Sequence, residues 1–294
     1  MRETLALLLL MVVLPVWTLA QNDTASKKEK AEMGELSLQR FNFSNRRPAV
    51  GLFGGMTSYE RNDISANLEN AIAIGLELGF RRDNSESTTT LSSLFSEGIY
   101  FSFHKGATGA PDSLSQMGRS FNALKFGVAA RNGYGYKFGS GPQGIIFLHG
   151  SSSLSWTVLN VPDDSIARAG GEPLADFGSS VRFGDAWMPA IEFRIAEPVS
   201  LQLQYTWSQV FPRHMFWYWL GSGTIEAVAD ALTVYFVKEI AQSSPVATPI
   251  MYFLLRNGVS AAFKALRMDN MNWPFATEAP LNMHTFSIGA TIIF

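Results

Sequence analysis

One pair of residues in the chain has the types and spacing of a nucleophile and its base. His149 and Ser151 stand two apart in the run HGSSSLS. Residues two apart on an extended strand share a face, so an imidazole could draw the proton from a neighbouring hydroxyl. The same parity continues through Ser153 and Ser155, and a serine-rich inward stripe is the reading these positions favour. Ionisable residues at alternate strand positions form a second set: Glu77, Arg81, Lys125, Arg131, Glu192 and Arg194, with Gln202 and Gln204 beside them. Charges of both signs in a narrow interior pair with one another and plug it; a charge-lined conduit is the competing function. His104, His214 and His284 are scattered without carboxylates at ligand spacing, and Asp163, Asp164 and Asp176 lack the spacing of a calcium loop, so no metal is expected. There is no cysteine, and no phosphate loop or dinucleotide fingerprint, so no cofactor is expected. A net charge of -2 leaves no basic footprint for nucleic acid.

The elements that must position these groups are strands with one apolar and one polar face. Ile72, Ile74, Leu76, Leu78 and Phe80 alternate with Ala71, Ala73, Gly75, Glu77, Gly79 and Arg81. Ile99, Phe101 and Phe103 alternate with Tyr100, Ser102 and His104. Leu124, Phe126, Val128 and Ala130 keep one parity with Tyr134, Tyr136 and Phe138. That favours one long strand over a hairpin at Asn132-Gly133, because a two-residue turn would reverse the parity. Ile146, Leu148, Leu154 and Trp156 mark a fifth strand, and Trp187, Ile191, Phe193 and Ile195 a sixth. Leu201, Leu203, Tyr205 and Trp207 mark a seventh. A weakly patterned first strand at about 49–58 and the final run bring the count to eight. Ten remains open if residues 35–43 form a strand and the fourth splits.

The last ten residues read TFSIGATIIF, with Phe286, Ile288, Ala290, Ile292 and Phe294 on one face and small polar residues on the other. This strand resembles the final strand of bacterial outer-membrane β-barrels, which commonly ends in Phe and serves as the assembly signal. The resemblance implies an all-β transmembrane antiparallel barrel in the bacterial outer membrane, with oil outside and polar groups within. It also implies both termini in the periplasm and contact with lipid and with the barrel-assembly machinery during biogenesis. Within that class, His149-Gly150-Ser151 is similar to the His-x-Ser of outer-membrane lipid A deacylases, implying His149 as base and Ser151 as nucleophile of an acyl hydrolase. Ser152 stands where that family has Asn, and the parity turns both residues inward rather than toward lipid.

Residues 1–20 have the charged start, short apolar run and small-residue end of a signal peptide, and 21–47 read as a polar periplasmic lead-in to a barrel over 48–294. Residues 212–281 interrupt the alternation. Thr224 to Ile240 has helical periodicity through Ile225, Val228, Leu232 and Phe236, and a second helix runs from a Thr248 N-cap to about Arg267. The expectation is an extracellular helical insertion that meets lipid or another outer-membrane protein through Phe216, Trp217, Tyr218, Trp219, Phe236, Phe253 and Phe263. The function so reached is a non-catalytic structural or accessory membrane component. A lipid A-type acyl hydrolase and a narrow channel for small or apolar solutes are the alternatives.

Overall fold

The computed structural model describes residues 46–63, 68, 70–84, 91–106, 122–138, 143–160, 177–178 and 180–294. The expected signal peptide, most of the lead-in and the possible strand at 35–43 lie outside them. The described residues form strands β1 (Arg47–Glu60), β2 (Ala71–Asn84), β3 (Leu91–Gly106), β4 (Asn122–Lys137) and β5 (Ile145–Asn160). There follow β6 (Val181–Trp187), β7 (Ala190–Ala196), β8 (Val199–Val210) and, after the helices, β9 (Leu281–Ile293). Every neighbouring pair is antiparallel, and β1 pairs with β9, which closes the ring.

β6 and β7 are one stave. Pro189 has no N–H to give to a ladder, yet its carbonyl accepts from Tyr205 N at 3.1 Å, and Met188 and Ser151 exchange both backbone bonds. The barrel thus has eight staves, and β4 is unsplit, as its unbroken parity predicts. Stepping across the ladders from Ala49 through Gly79, Gly98, Ala129, Ser153, Ala186, Ser208 and Met283 returns to β1 at Tyr59, ten residues along. With eight staves this stagger tilts the strands by roughly 40°, the range in which barrels close.

Alternation decides which side chains face in. Leu52, Met56, Ile72, Ile74, Phe101, Phe103, Leu203, Phe286 and Ile288 are exposed on the outside, while Arg81, Lys125, Ser153, Gln202 and Ser287 are buried within. At the rim away from the chain ends, Tyr59, Leu159, Phe177, Val210, Leu281 and Met283 pack into an apolar seal. Ile145, Phe147 and Leu94 pack together at the other end.

Two helices connect β8 to β9: α1 (Phe216–Ser243) and α2 (Thr248–Leu266), joined by a short 3-10 turn (Pro245–Ala247). α1 begins eight residues before the expected start at Thr224, because the aromatic run Phe216 to Leu220 joins the helix. Thr248 is the first residue of α2 rather than its cap; Ala247 takes that place. Val228 and Phe236 are exposed, and Ser222, Ala229 and Val237 are the buried residues of α1. A helix that is apolar on nearly every side can bury its small residues and leave large ones outward.

Candidate functional site

The helical pair lies along the outside of the barrel. Near the rim where the helices leave the barrel, Gln209 of β8 donates to the Lys264 carbonyl at 3.1 Å. At mid-height Trp187 Nε1 donates to Asn257 Oδ1 at 2.8 Å. Toward the rim holding the chain ends, Tyr134 meets Tyr252 edge-on at 5.0 Å and Tyr136 donates to the Val246 carbonyl at 2.7 Å. α2 therefore crosses β8, β6, β5 and β4 obliquely, and α1 packs over it.

The barrel wall is built to receive it. Outward positions that are apolar elsewhere carry Ser152 and Gly150 on β5 and Asp185 on β6. Gly150 is a close approach: a Cβ there would stand 2.4 Å from Asn257 Oδ1. Lys264, 2% exposed, donates to Asp185. Arg267, 3% exposed, donates to Glu226 at 2.5 Å, to Ser222 Oγ at 3.0 Å and to Asp185 at 3.4 Å. Arg256 bridges Asp230 at 3.1 Å and the Tyr252 hydroxyl. Glu226, Asp230, Arg256, Lys264 and Arg267 thus turn toward each other and the barrel, while Lys238 and Glu239 near the end of α1 are exposed. Between them and the wall lies a cleft of about 460 Å³.

The lumen is the other polar region. Arg131 clasps Glu77 with both terminal nitrogens, Arg81 bridges Glu192 and Asp83, and Arg194 bonds Asp83. Lys125 donates to Ser208 Oγ and sits 5.6 Å from the Tyr100 ring centre. The six charges expected in the lumen all lie there. Asp83 lies one inward step beyond Arg81, where the apolar alternation of β2 has ended, and its carboxylate joins Arg81 and Arg194. The two voids among these groups hold about 20 Å³ each, room for a water or a monatomic ion apiece and nothing larger.

His149 and Ser151 share the inner face but make no hydrogen bond with each other. Ser151 Oγ donates to the Met188 carbonyl at 3.0 Å, and His149 Nε2 lies 3.6 Å from Glu192. Both are enclosed, so no acyl chain reaches the hydroxyl.

Of the aromatic residues expected to meet lipid or a partner, Phe216, Trp217, Tyr218 and Phe236 are exposed, and Phe253 is half-buried beside β7 and β8. Trp219 is half-buried and packs edge-on against Phe183 of the wall at 5.3 Å. One is a correction. Phe263 is fully buried, 6.0 Å from the Trp273 ring and beneath the Arg267 guanidinium. On the last strand Phe286, Ile288, Ile292 and Phe294 all project outward and exposed. Among the described residues no group of His, Asp and Glu could hold a metal.

The sequence matches no family model and no curated protein sequence. Similar solved structures include Neisserial surface protein A, at TM-score 0.37 and 11% identity over 84% of this chain and 97% of that one. The attachment invasion locus protein Ail of Yersinia pestis matches at TM-score 0.32 and 8% identity over 84% of this chain and 98% of that one. A TodX deltaS2S3 mutant monoaromatic hydrocarbon channel gives TM-score 0.24 and 14% identity over 58% of this chain and 49% of that one. The ring of ladders, not these likenesses, defines the barrel.

Proposed function

We propose that the protein is a non-catalytic outer-membrane barrel whose helical hairpin lies in the bilayer against the barrel wall, as a structural or accessory element of the membrane. The observation that carries this reading is the outer face of α1. Trp217 and Phe236 are 78% and 55% exposed and stand roughly 28 Å apart along the helix at ~1.5 Å per residue. That separation is close to the ~30 Å hydrocarbon thickness of a bilayer, whose two interfaces favour aromatic rings. α1 is also long and apolar enough to cross a membrane, and its charges between these rings, Glu226 and Asp230, point to α2 and the wall. The barrel exterior is apolar in the same way. The start of β1 and the end of β9 share one rim, as an even number of staves requires, and in this proposal that rim is the periplasmic one.

The absence of native cysteine gives a clean test. Nitroxide labels at Val228→Cys on α1 and Ile74→Cys on β2, in the full protein reconstituted into vesicles, are expected to be accessible to oxygen and shielded from a water-soluble nickel chelate. A label at Val228 relaxed by the chelate as strongly as one at exposed Arg213→Cys would overturn the bilayer placement of the hairpin.

A further inference from the structure

The lumen charges described above do not balance. The cations Arg81, Lys125, Arg131 and Arg194 share it with the carboxylates Glu77, Asp83 and Glu192. Both oxygens of Glu77 are taken by Arg131, Glu192 is bridged by Arg81, and Asp83 serves Arg81 and Arg194. Lys125 is the cation left over. Among the described residues its ammonium bridges no carboxylate and has the Ser208 hydroxyl and the Tyr100 ring for company. It is 3% exposed and lies just beneath the outer apolar seal, to which Ala123 of the same strand belongs. An ammonium so enclosed is costly without a counter-charge, because the interior cannot solvate it as water does.

A void of about 20 Å³ adjoins it, lined by Lys125 together with Arg131, Ser102, Thr206 and Glu77. The donors around this space are not used up. An ammonium carries three N–H bonds, and Lys125 directs one to Ser208. Arg131 Nε is buried and has no hydrogen-bond partner among the described residues. The Thr206 oxygen accepts from Gln204 at 3.1 Å, which leaves the hydroxyl its own proton to give. The one carboxylate at the void, Glu77, is clasped by Arg131 at both oxygens. The surplus cation and the uncommitted N–H groups set the sign of an occupant as negative. The volume sets its size: a halide enters, whereas sulfate or a carboxylate does not.

We propose that this void is a structural anion site, in which one chloride ion, enclosed as the barrel closes, rests between Lys125 and Arg131 and balances the lumen. The site needs only the closed lumen and stands whether or not the hairpin lies in lipid. Loss of the Lys125 proton would balance the charges as well, with a water in the void, but a barrel balanced that way takes no halide from solution.

The test follows urea unfolding of the full protein folded in detergent, with chloride replaced stepwise by gluconate, and separately by sulfate, at fixed ionic strength. One ion bound by the folded state alone raises the folding constant about tenfold for each tenfold rise in its concentration once the site is filled. Chloride is expected to give that dependence and a higher midpoint than sulfate. General salt effects run the other way, since sulfate is excluded from protein surface and strengthens burial. Lys125→Met, which keeps an unbranched chain beside Tyr100, is expected to abolish the chloride dependence and to put sulfate above chloride. In crystals of the parent grown with bromide, an anomalous peak is expected in the void beside Lys125, a readout that holds even if the variant fails to fold. A sulfate midpoint above the chloride one in the parent, a chloride dependence kept by Lys125→Met, or a bromide map without a peak there would each overturn the site.

Discussion

At the scale of single residues, the lumen is a set of buried charges that survive only as partners. Arg81, 3% exposed, has Glu192 and Asp83 as its carboxylates, and Glu192 is also 3% exposed. Glu192→Ala removes one carboxylate and leaves a guanidinium short of charge in a dry interior. The expected cost is about 3–5 kcal/mol, read as a lower urea midpoint for unfolding in detergent. Arg81→Met combined with Glu192→Leu is expected to recover most of that loss, because it removes the desolvated charges along with their attraction. A double variant no more stable than Glu192→Ala would mean that the network does something other than neutralise itself. Ser151→Ala, by contrast, deletes one neutral bond to the Met188 carbonyl, worth about 1 kcal/mol. The charges at these positions were legible in the sequence, because inward parity names them one by one. Their pairing was not: Arg81 and Glu192 are on β2 and β7, which are not neighbours in the ring, and only closure brings them within 2.5 Å.

At the scale of elements, the strands were legible and the docking of the helices was not. Period-two alternation is strong in β2, β4 and β8 because each strand meets two opposite environments. α1 gives no such signal, since large apolar residues surround it and a helix of that kind does not announce which side is buried. The missing signal was on the strands instead. Ser152 and Asp185 are polar on a parity otherwise apolar, and Gly150 is bare on the same face; together they mark a strip of wall unsuited to hydrocarbon. Gly150→Leu tests whether this strip holds α2. Asn257 is pinned there, with Oδ1 accepting from Trp187 and Nδ2 donating to the Phe253 carbonyl, so it cannot yield to a new side chain without breaking both bonds. The expected result is a loss of roughly 1–3 kcal/mol, the usual cost of overpacking, with α1 and α2 becoming sensitive to protease in detergent while the barrel strands stay protected. Equal protection of the helices in the variant and the parent would show that α2 is held elsewhere.

At the scale of the whole molecule, the hairpin and the barrel cover each other's polar surfaces. The ladder between β8 and β9 begins at Val210 and Leu281, and these residues are paired with or without the helices, so a short turn can replace residues 213–279. The barrel's ring of ladders, apolar seal and charge network involve none of the deleted residues. The deleted form is therefore expected to fold and to keep its heat-modifiable mobility. Its stability should fall, because Asp185 loses Lys264 and Arg267 and faces hydrocarbon together with Ser152. A charged side chain on the lipid face costs up to ~2–4 kcal/mol at mid-depth, less for a carboxylate than for Arg or Lys. Asp185→Leu in the deleted form is then expected to raise the urea midpoint. The same substitution in the full protein is expected to lower it, since it strands two buried cations. This reversal of sign is specific to a wall that exchanges a helical neighbour for lipid. Were Asp185→Leu destabilising in both forms, Asp185 would be serving the barrel itself, and the hairpin would be an attachment to a wall already complete.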